Sequence, residues 1–544
     1  MSYPRAQQRI VRAASVSGRC VGNESTATTS LGMKAGTEGF GMKGEPMAER
    51  TETPAQEAPQ EAPQEAPQPV PPQRSAALTW QVGGERIEYV VTAGHLPVHD
   101  AAGVLAGRMF NVSYVATQVD GAAVDAQRRP VTFCYNGGPG SSSVPINFGG
   151  LGPRRVATQG CEFVGAHATV QDNPGTLLRQ SDLVFLDALG TGWSTVAEGY
   201  DSKSVFGVDG DARAFCSAIC EWLERNNRWG SPVYLYGESY GTARNAVLMR
   251  YLGEAGVVLT GVVMLSAIFD WAQTLPGCDL YYVGLLPSFA STAQSFGLVG
   301  QGVDEDAWFD QASLFARDVY APALFKGDAL GSEEQRALAE QVAAYTGLPA
   351  SFVLARNCRV ELEDFRREVL ARQGKMVGRL DMRFSEPSLL SVQGSSEFFA
   401  CEDPAGDAVE NAWYMAFRDF LRREVGYEGP GAYKLSAWAE VGRQWNWTHA
   451  APGVDDGAVA SPNLALDIAV ALRRSPTTKL AILGGRYDAA TPWWNMEHTL
   501  AQLYLPSEIK QRIVFKRYGC GHMAYVDEPV LMQMARDMEE FYSA

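Results

Sequence analysis

The stretch Val233-Tyr234-Leu235-Tyr236-Gly237-Glu238-Ser239-Tyr240-Gly241-Thr242 joins a short apolar run to a serine set between two glycines. A run of four apolar residues without polar alternation reads as a strand covered on both faces, and the residues from Thr242 onward read as a helix. A Gly-x-Ser-x-Gly between strand and helix forms a turn so sharp that bulk on either side of the serine would collide with the adjoining element. Such a turn lifts the Ser239 hydroxyl above the sheet at the N-terminus of the following helix, where negative charge is favoured. By itself the pattern also fits an ordinary glycine-rich turn. The strand before it and the helix after it favour a nucleophile.

Outward from this turn, further apolar runs at 131–135, 183–186 and 262–268 read as parallel central strands. Residues 210–226, between the run at 183–186 and the elbow strand at 233–236, place Ala212, Phe215, Ile219, Trp222 and Leu223 at helical spacing. Ahead of these, runs at 78–82 and 85–91 flank Gly83-Gly84 and predict a hairpin, with 110–119 as a third antiparallel strand. The alternation stops at about Leu275. Patterns such as 333–344 and 360–372 then read as helices until about Trp447. Strand and helix resume with a helix at 464–472, a strand at 479–483, a helix at 494–503, a strand at 513–517 and a helix at 529–542. The expected organisation is a tail over 1–75, an α/β core over 76–274, a helical insertion over 275–447 and the rest of the core over 448–544.

The composition sets bounds on function. At 544 residues the chain exceeds one ordinary core, which agrees with a domain carrying an insertion, and 46% hydrophobic residues allow that core to form. A net charge of -16 repels phosphate backbones and anionic bilayers, so neither nucleic acid nor membrane is an expected partner. No apolar run approaches the roughly 18 residues that span a bilayer. Nine cysteines without close-spaced Cys-x-x-Cys pairs to suggest zinc read as reduced thiols in a cytoplasmic setting. The repeated Glu-Ala-Pro-Gln of the tail denies it both helix and core. Arg5, Arg9, Arg12 and Arg19 faintly resemble a transit peptide, but no apolar segment follows to make a secretory signal.

A nucleophilic serine needs a base and an acid that orients it, each in a loop after a late strand. His522, in Gly519-Cys520-Gly521-His522-Met523, follows the strand at 513–517. His498 falls mid-helix, while His95, His99, His167 and His449 precede the acid position and lack such a loop. Asp488 follows the strand at 479–483 through Gly484-Gly485-Arg486-Tyr487. Alone it would also read as a turn or cap residue before Pro492, but the order Ser239, Asp488, His522, each after its own strand, favours a triad. Two N–H donors are needed for the oxyanion. One is the amide of Tyr240, and the other belongs to Asn136-Gly137-Gly138-Pro139-Gly140-Ser141-Ser142-Ser143, which follows the strand at 131–135. The Gly-Lys-Ser/Thr ending of a phosphate loop is absent there.

With Asn136-Gly137-Gly138-Pro139-Gly140, Asp187-Ala188-Leu189-Gly190-Thr191-Gly192-Trp193-Ser194, Gly237-Glu238-Ser239-Tyr240-Gly241-Thr242, the Asp488 loop and Gly521-His522-Met523 in this order, the chain resembles the serine carboxypeptidases of the α/β-hydrolase fold. The resemblance implies removal of single residues from the C-terminus of peptides, with the insertion as a lid. It implies the triad Ser239, Asp488 and His522, an oxyanion hole of Gly138 and Tyr240, and binding of the substrate carboxylate by Asn136 and Glu238. Glu238 binds a carboxylate only when protonated, because two like charges at hydrogen-bond distance do not both ionise cheaply. The chain departs from the family pattern at Cys134, where a tryptophan is common, at Ser141, where a cysteine is common, and at Gly150, where some members carry a glutamate that pairs with the elbow glutamate. No metal or cofactor is expected, and the partners are peptides with a free C-terminus. An acyltransferase or esterase using the same triad, and a noncatalytic binding protein of the same fold, are the alternatives.

Overall fold

The ladder begins with β1 (Arg74–Val82) and β2 (Glu85–His99), antiparallel across the turn at Gly83-Gly84, followed by β3 (Leu105–Val119). The structure, a computed structural model, describes residues 70–165, 168–388, 403–453 and 463–543. The expected tail therefore lies outside the described residues up to residue 69, and β1 starts at Arg74 inside its last two positions. β2 and β3 run well beyond the expected 85–91 and 110–119. Gly94, His95 and Pro97 interrupt the sequence pattern, but the pairing carries on through Gly94 opposite Asn111 and His95 opposite Phe110. His95 also hydrogen-bonds the Trp193 carbonyl at 3.0 Å.

The path of the main sheet continues with β4 (Val131–Tyr135), β5 (Asp182–Leu186), β6 (Val233–Glu238), β7 (Leu259–Leu265), β8 (Lys479–Gly485) and β9 (Ile513–Tyr518). The sheet order is β1-β2-β3-β5-β4-β6-β7-β8-β9, parallel from β5 to β9. Successive side chains of a strand face opposite sides, and the two cores divide along that rule. Phe133, Tyr135, Leu235, Val262 and Met264 join α1 (Val208–Arg225) and α2 (Tyr240–Glu254) on one face. Cys134, Tyr234, Tyr236, Val263 and Leu265 face the other. Covering on both faces is why the central strands lack polar alternation.

Between β7 and β8 the chain does two different things. From α3 (Asp279–Ser295) to Met382 it builds a satellite core, with Phe289 stacked on Phe365 at 3.9 Å between ring centres. The expected helix at 360–372 is shorter, Leu362–Glu368, and leads into a small hairpin of Lys375–Val377 with Ser385–Pro387. α4 (Pro404–Phe420) instead returns to the main sheet, where Val409, Trp413, Phe417 and Phe420 join α5 (Glu528–Ser543) over the second face. Helical spacing announces the apolar stripe of α4 but not the surface it covers. Among the described residues no helix is long and apolar enough to cross a membrane. A mostly parallel sheet with helices on both faces and a long excursion before its last two strands is the α/β-hydrolase arrangement, and loops at the C-terminal ends of its strands are the natural ligand site.

Candidate active site

β6 ends at Glu238, and Ser239 turns the chain into α2 with φ 59° and ψ −127°, a conformation rarely held by a side-chain-bearing residue. The strain is held by the surroundings. The Ser239 N–H donates to the Leu265 carbonyl at 3.0 Å, and the Ser239 carbonyl accepts from the Thr242 N–H at 2.8 Å and its hydroxyl at 2.7 Å. A Cβ at Gly237 would stand 2.3 Å from the Gly241 carbonyl oxygen, so glycine is required by space alone. A Cβ at Gly137 would stand 2.3 Å from the Tyr240 amide nitrogen. The loop after β4 is thereby laid directly against the elbow.

The loops after β8 and β9 meet beside it. His522 Nδ1 donates to Asp488 Oδ2 at 2.7 Å. Asp488 is wholly buried, and its other oxygen accepts from the N–H groups of Ala490 at 2.8 Å and Thr491 at 2.9 Å. The Thr491 hydroxyl donates to Asp488 Oδ2 at 2.7 Å. The backbone of His522 is fixed from two sides, its N–H donating to the Leu380 carbonyl at 2.7 Å and its carbonyl accepting from the Ser266 hydroxyl at 2.7 Å. Burial pulls the imidazole pKa down, but the charge and hydrogen bond of Asp488, helped by Glu238, outweigh it and hold the pKa above the ordinary value. With Nδ1 committed to the carboxylate, Nε2 is the nitrogen left for a proton from Ser239.

A cavity of about 270 Å³ opens over these residues, and Asn136, Gly138, Glu238, Ser239, Tyr240 and His522 all line it. The structure thus brings together every residue expected in the site; Asp488 alone stands behind the cavity wall, on the far side of the His522 ring. The other histidines stand elsewhere: His498 stacks on Trp494 with ring centres 4.9 Å apart, and His449 lies buried between Asp209 and Asp467. His167 falls outside the described residues.

Glu238 projects from the elbow into a fully buried position where desolvation raises its pKa to about 7. Its Oε1 accepts from the Tyr525 hydroxyl at 3.2 Å, while Oε2 is buried with no hydrogen-bond partner among the described residues. Asn136 is held by its own Oδ1, which accepts from the Ile146 N–H at 2.9 Å. Tyr525 accounts for one departure from the family pattern. A Cβ at Gly150 would meet the Tyr525 ring at 2.8 Å, so the phenol fills the space above Gly150 and supplies the hydrogen bond to the elbow glutamate. The sequence hints at it only through the absence of a side chain at Gly150. Cys134 accounts for another: it is wholly buried on the sheet face opposite Tyr135 and plays no part in the cavity. Because the Tyr525 hydrogen bond favours the ionised carboxyl, Tyr525→Phe is expected to raise the Glu238 pKa further. The pH profile of substrate affinity would show this as a limb moved to higher pH; an unmoved limb would remove Tyr525 from the site.

Residues 91–250 match the family model described as serine carboxypeptidase. Serine carboxypeptidase-like 50 of Arabidopsis thaliana is 33% identical over 202 residues, covering 36% of this chain and 42% of that protein. Serine carboxypeptidase-like 36 of the same plant is 29% identical over 178 residues, covering 31% of this chain and 33% of that protein. The matched segment spans less than half the length of either relative. Among solved structures, Est816, described as an N-acyl homoserine lactone degrading enzyme, superposes with a TM-score of 0.34 at 11% identity over 82% of this chain and 99% of that one. That superposition is too loose to add to the strand order. The stretch from residue 91 in β2 through the elbow to residue 250 in α2 is thus similar to serine carboxypeptidases, and it is set in a sheet of α/β-hydrolase order.

Proposed function

We propose that the protein is a serine carboxypeptidase. Ser239 attacks the carbonyl of the last peptide bond while His522 Nε2 takes its proton, and the N–H groups of Gly138 and Tyr240 receive the oxyanion. His522 then hands the proton to the departing amine, and water repeats the sequence to release the acyl group. Asp488 holds the ring and offsets its positive charge throughout. Asn136 and Glu238 hold the terminal carboxylate of the substrate.

The observation that carries this reading is the buried carboxyl of Glu238 on the wall of the same cavity as Ser239 and His522, with Oε2 accepting no hydrogen bond among the described residues. A plain esterase has no use for a protonated carboxyl beside its nucleophile, whereas a carboxylate substrate does. With its pKa near 7, Glu238 keeps its proton at acid pH and loses it as pH rises. KM for free-acid substrates is therefore expected to rise above about pH 7, by up to about tenfold per unit, as carboxylate meets carboxylate. Towards acid, kcat falls as His522 becomes protonated and ceases to be a base. Glu238→Gln, which cannot ionise, should flatten the alkaline limb and move the acid limb to lower pH, because the Glu238 charge that helps hold the His522 pKa up is gone.

The test is a panel of N-blocked dipeptides, their amides and matching esters, scanned across pH. Turnover of dipeptides with a free C-terminus but not of the amides is expected. Turnover of esters alone would assign the triad to an esterase or acyltransferase instead.

A further inference from the structure

Three acidic or basic side chains on the cavity wall, Arg379, Glu363 and Glu410, have no part in the chemistry above. Arg379 follows the strand Lys375–Val377 and lines the cavity together with Ser239 and His522. Its backbone is fixed at both ends: the N–H donates to Oδ2 of Asp403, the residue that caps α4, at 3.2 Å, and the carbonyl accepts from the N–H of Ala489 in the Asp488 loop at 3.1 Å. The carbonyl of the next residue, Leu380, is the one that fixes the His522 N–H. The guanidinium lies near enough to His522 to oppose its protonation. Among the described residues, however, no carboxylate lies within 4 Å of it and no group accepts a hydrogen bond from it.

Other half-buried arginines of this region are paired, Arg359 with Asp279 at 2.8 Å and Arg383 with Asp381 at 2.7 Å. Glu363, a carboxylate on the same cavity wall, is already engaged by Arg366 at 2.8 Å and Arg367 at 3.7 Å. A cation drawn partly out of water without a counter-ion is costly unless a ligand brings the opposite charge. A guanidinium suits a carboxylate in particular, since two parallel N–H donors match its two oxygens.

We infer that Arg379 is the receptor for a carboxylate on the leaving side of the substrate, an inference that rests on the carboxypeptidase reading. The side follows from its attachment to the His522 loop, because His522 delivers its proton to the leaving group and its surroundings face that part of the substrate. Asn136 and Glu238 offer hydrogen bonds without charge; Arg379 adds the charge. The carboxylate is either the terminal one or the side chain of an acidic last residue.

Calorimetric titration separates these sources without turnover, using Ser239→Ala protein with and without Arg379→Gln. Three ligands are needed: an N-blocked dipeptide ending in leucine, its amide, and the corresponding dipeptide amide ending in glutamate. Loss of Arg379 is expected to weaken the free acid at least tenfold and leave the leucine amide unchanged, which identifies the terminal carboxylate. Selective weakening of the glutamate amide identifies the acidic side chain instead. Arg379→Lys should restore part of either loss. Equal weakening of all three ligands, no weakening of any, or no binding of either acid by the Ser239→Ala protein overturns the inference. The carboxypeptidase reading fails separately, if wild-type protein turns over only esters while the Arg379 selectivity persists.

Discussion

Ser239→Ala is expected to lower kcat by about 10⁴- to 10⁶-fold with little change in KM, the scale set by loss of a nucleophile that acts as one unit with its base. Removal of one oxygen leaves the oxyanion donors, the cavity and the carboxylate-binding groups in place. The turn itself should survive, since its geometry is held by backbone bonds to Leu265 and Thr242 rather than by the serine hydroxyl. Steady-state kinetics on a blocked dipeptide, with labelling by an organophosphate reagent, provides the measurement. A variant that keeps more than about a hundredth of wild-type kcat, or still takes the label, would mean that another residue attacks.

Asp488→Asn should cost about 10⁴ in kcat while leaving the melting temperature near that of the wild type. The direction follows from the hydrogen bonds around the carboxylate. Oδ1 accepts two backbone N–H groups, from Ala490 and Thr491, and an asparagine would keep its carbonyl oxygen there. Its NH₂ would then face His522 Nδ1, where the ring now donates at 2.7 Å. Two donors cannot share that contact, so the ring would place its proton on Nε2 and lose the lone pair needed by Ser239. A loss below about tenfold would show that His522 does not depend on Asp488 for its tautomer.

Much of this site is local in the chain and was therefore legible. The elbow needs small residues at Gly237 and Gly241, and the loops carrying Asp488 and His522 each follow a short apolar strand. Such constraints leave marks within a few residues of the chemistry. What stayed hidden depends on contacts between distant segments. Tyr525 reaches Glu238 across 287 positions and fills the space beside Gly150, a relation that no window of sequence contains. α4 looks like any amphipathic helix, and only the packed structure shows that it covers the main sheet rather than the satellite core. The ends of β2 and β3 were hidden for the opposite reason: Gly94 and Pro97 are locally poor strand residues, overruled by pairing with a long partner strand.

The phenol beside Gly150 also determines how the site stores protons. Where two glutamates face each other they share one proton, and each carboxyl's ionisation depends on the other's, so the pair titrates in two linked steps. Tyr525 is buried, and its pKa lies well above the usual phenol value, so it keeps its proton wherever Glu238 changes state. Glu238 therefore gains or loses charge against a partner that stays neutral. The charge of Glu238 is thus linked to that of His522 across the cavity and not to the phenol beside it.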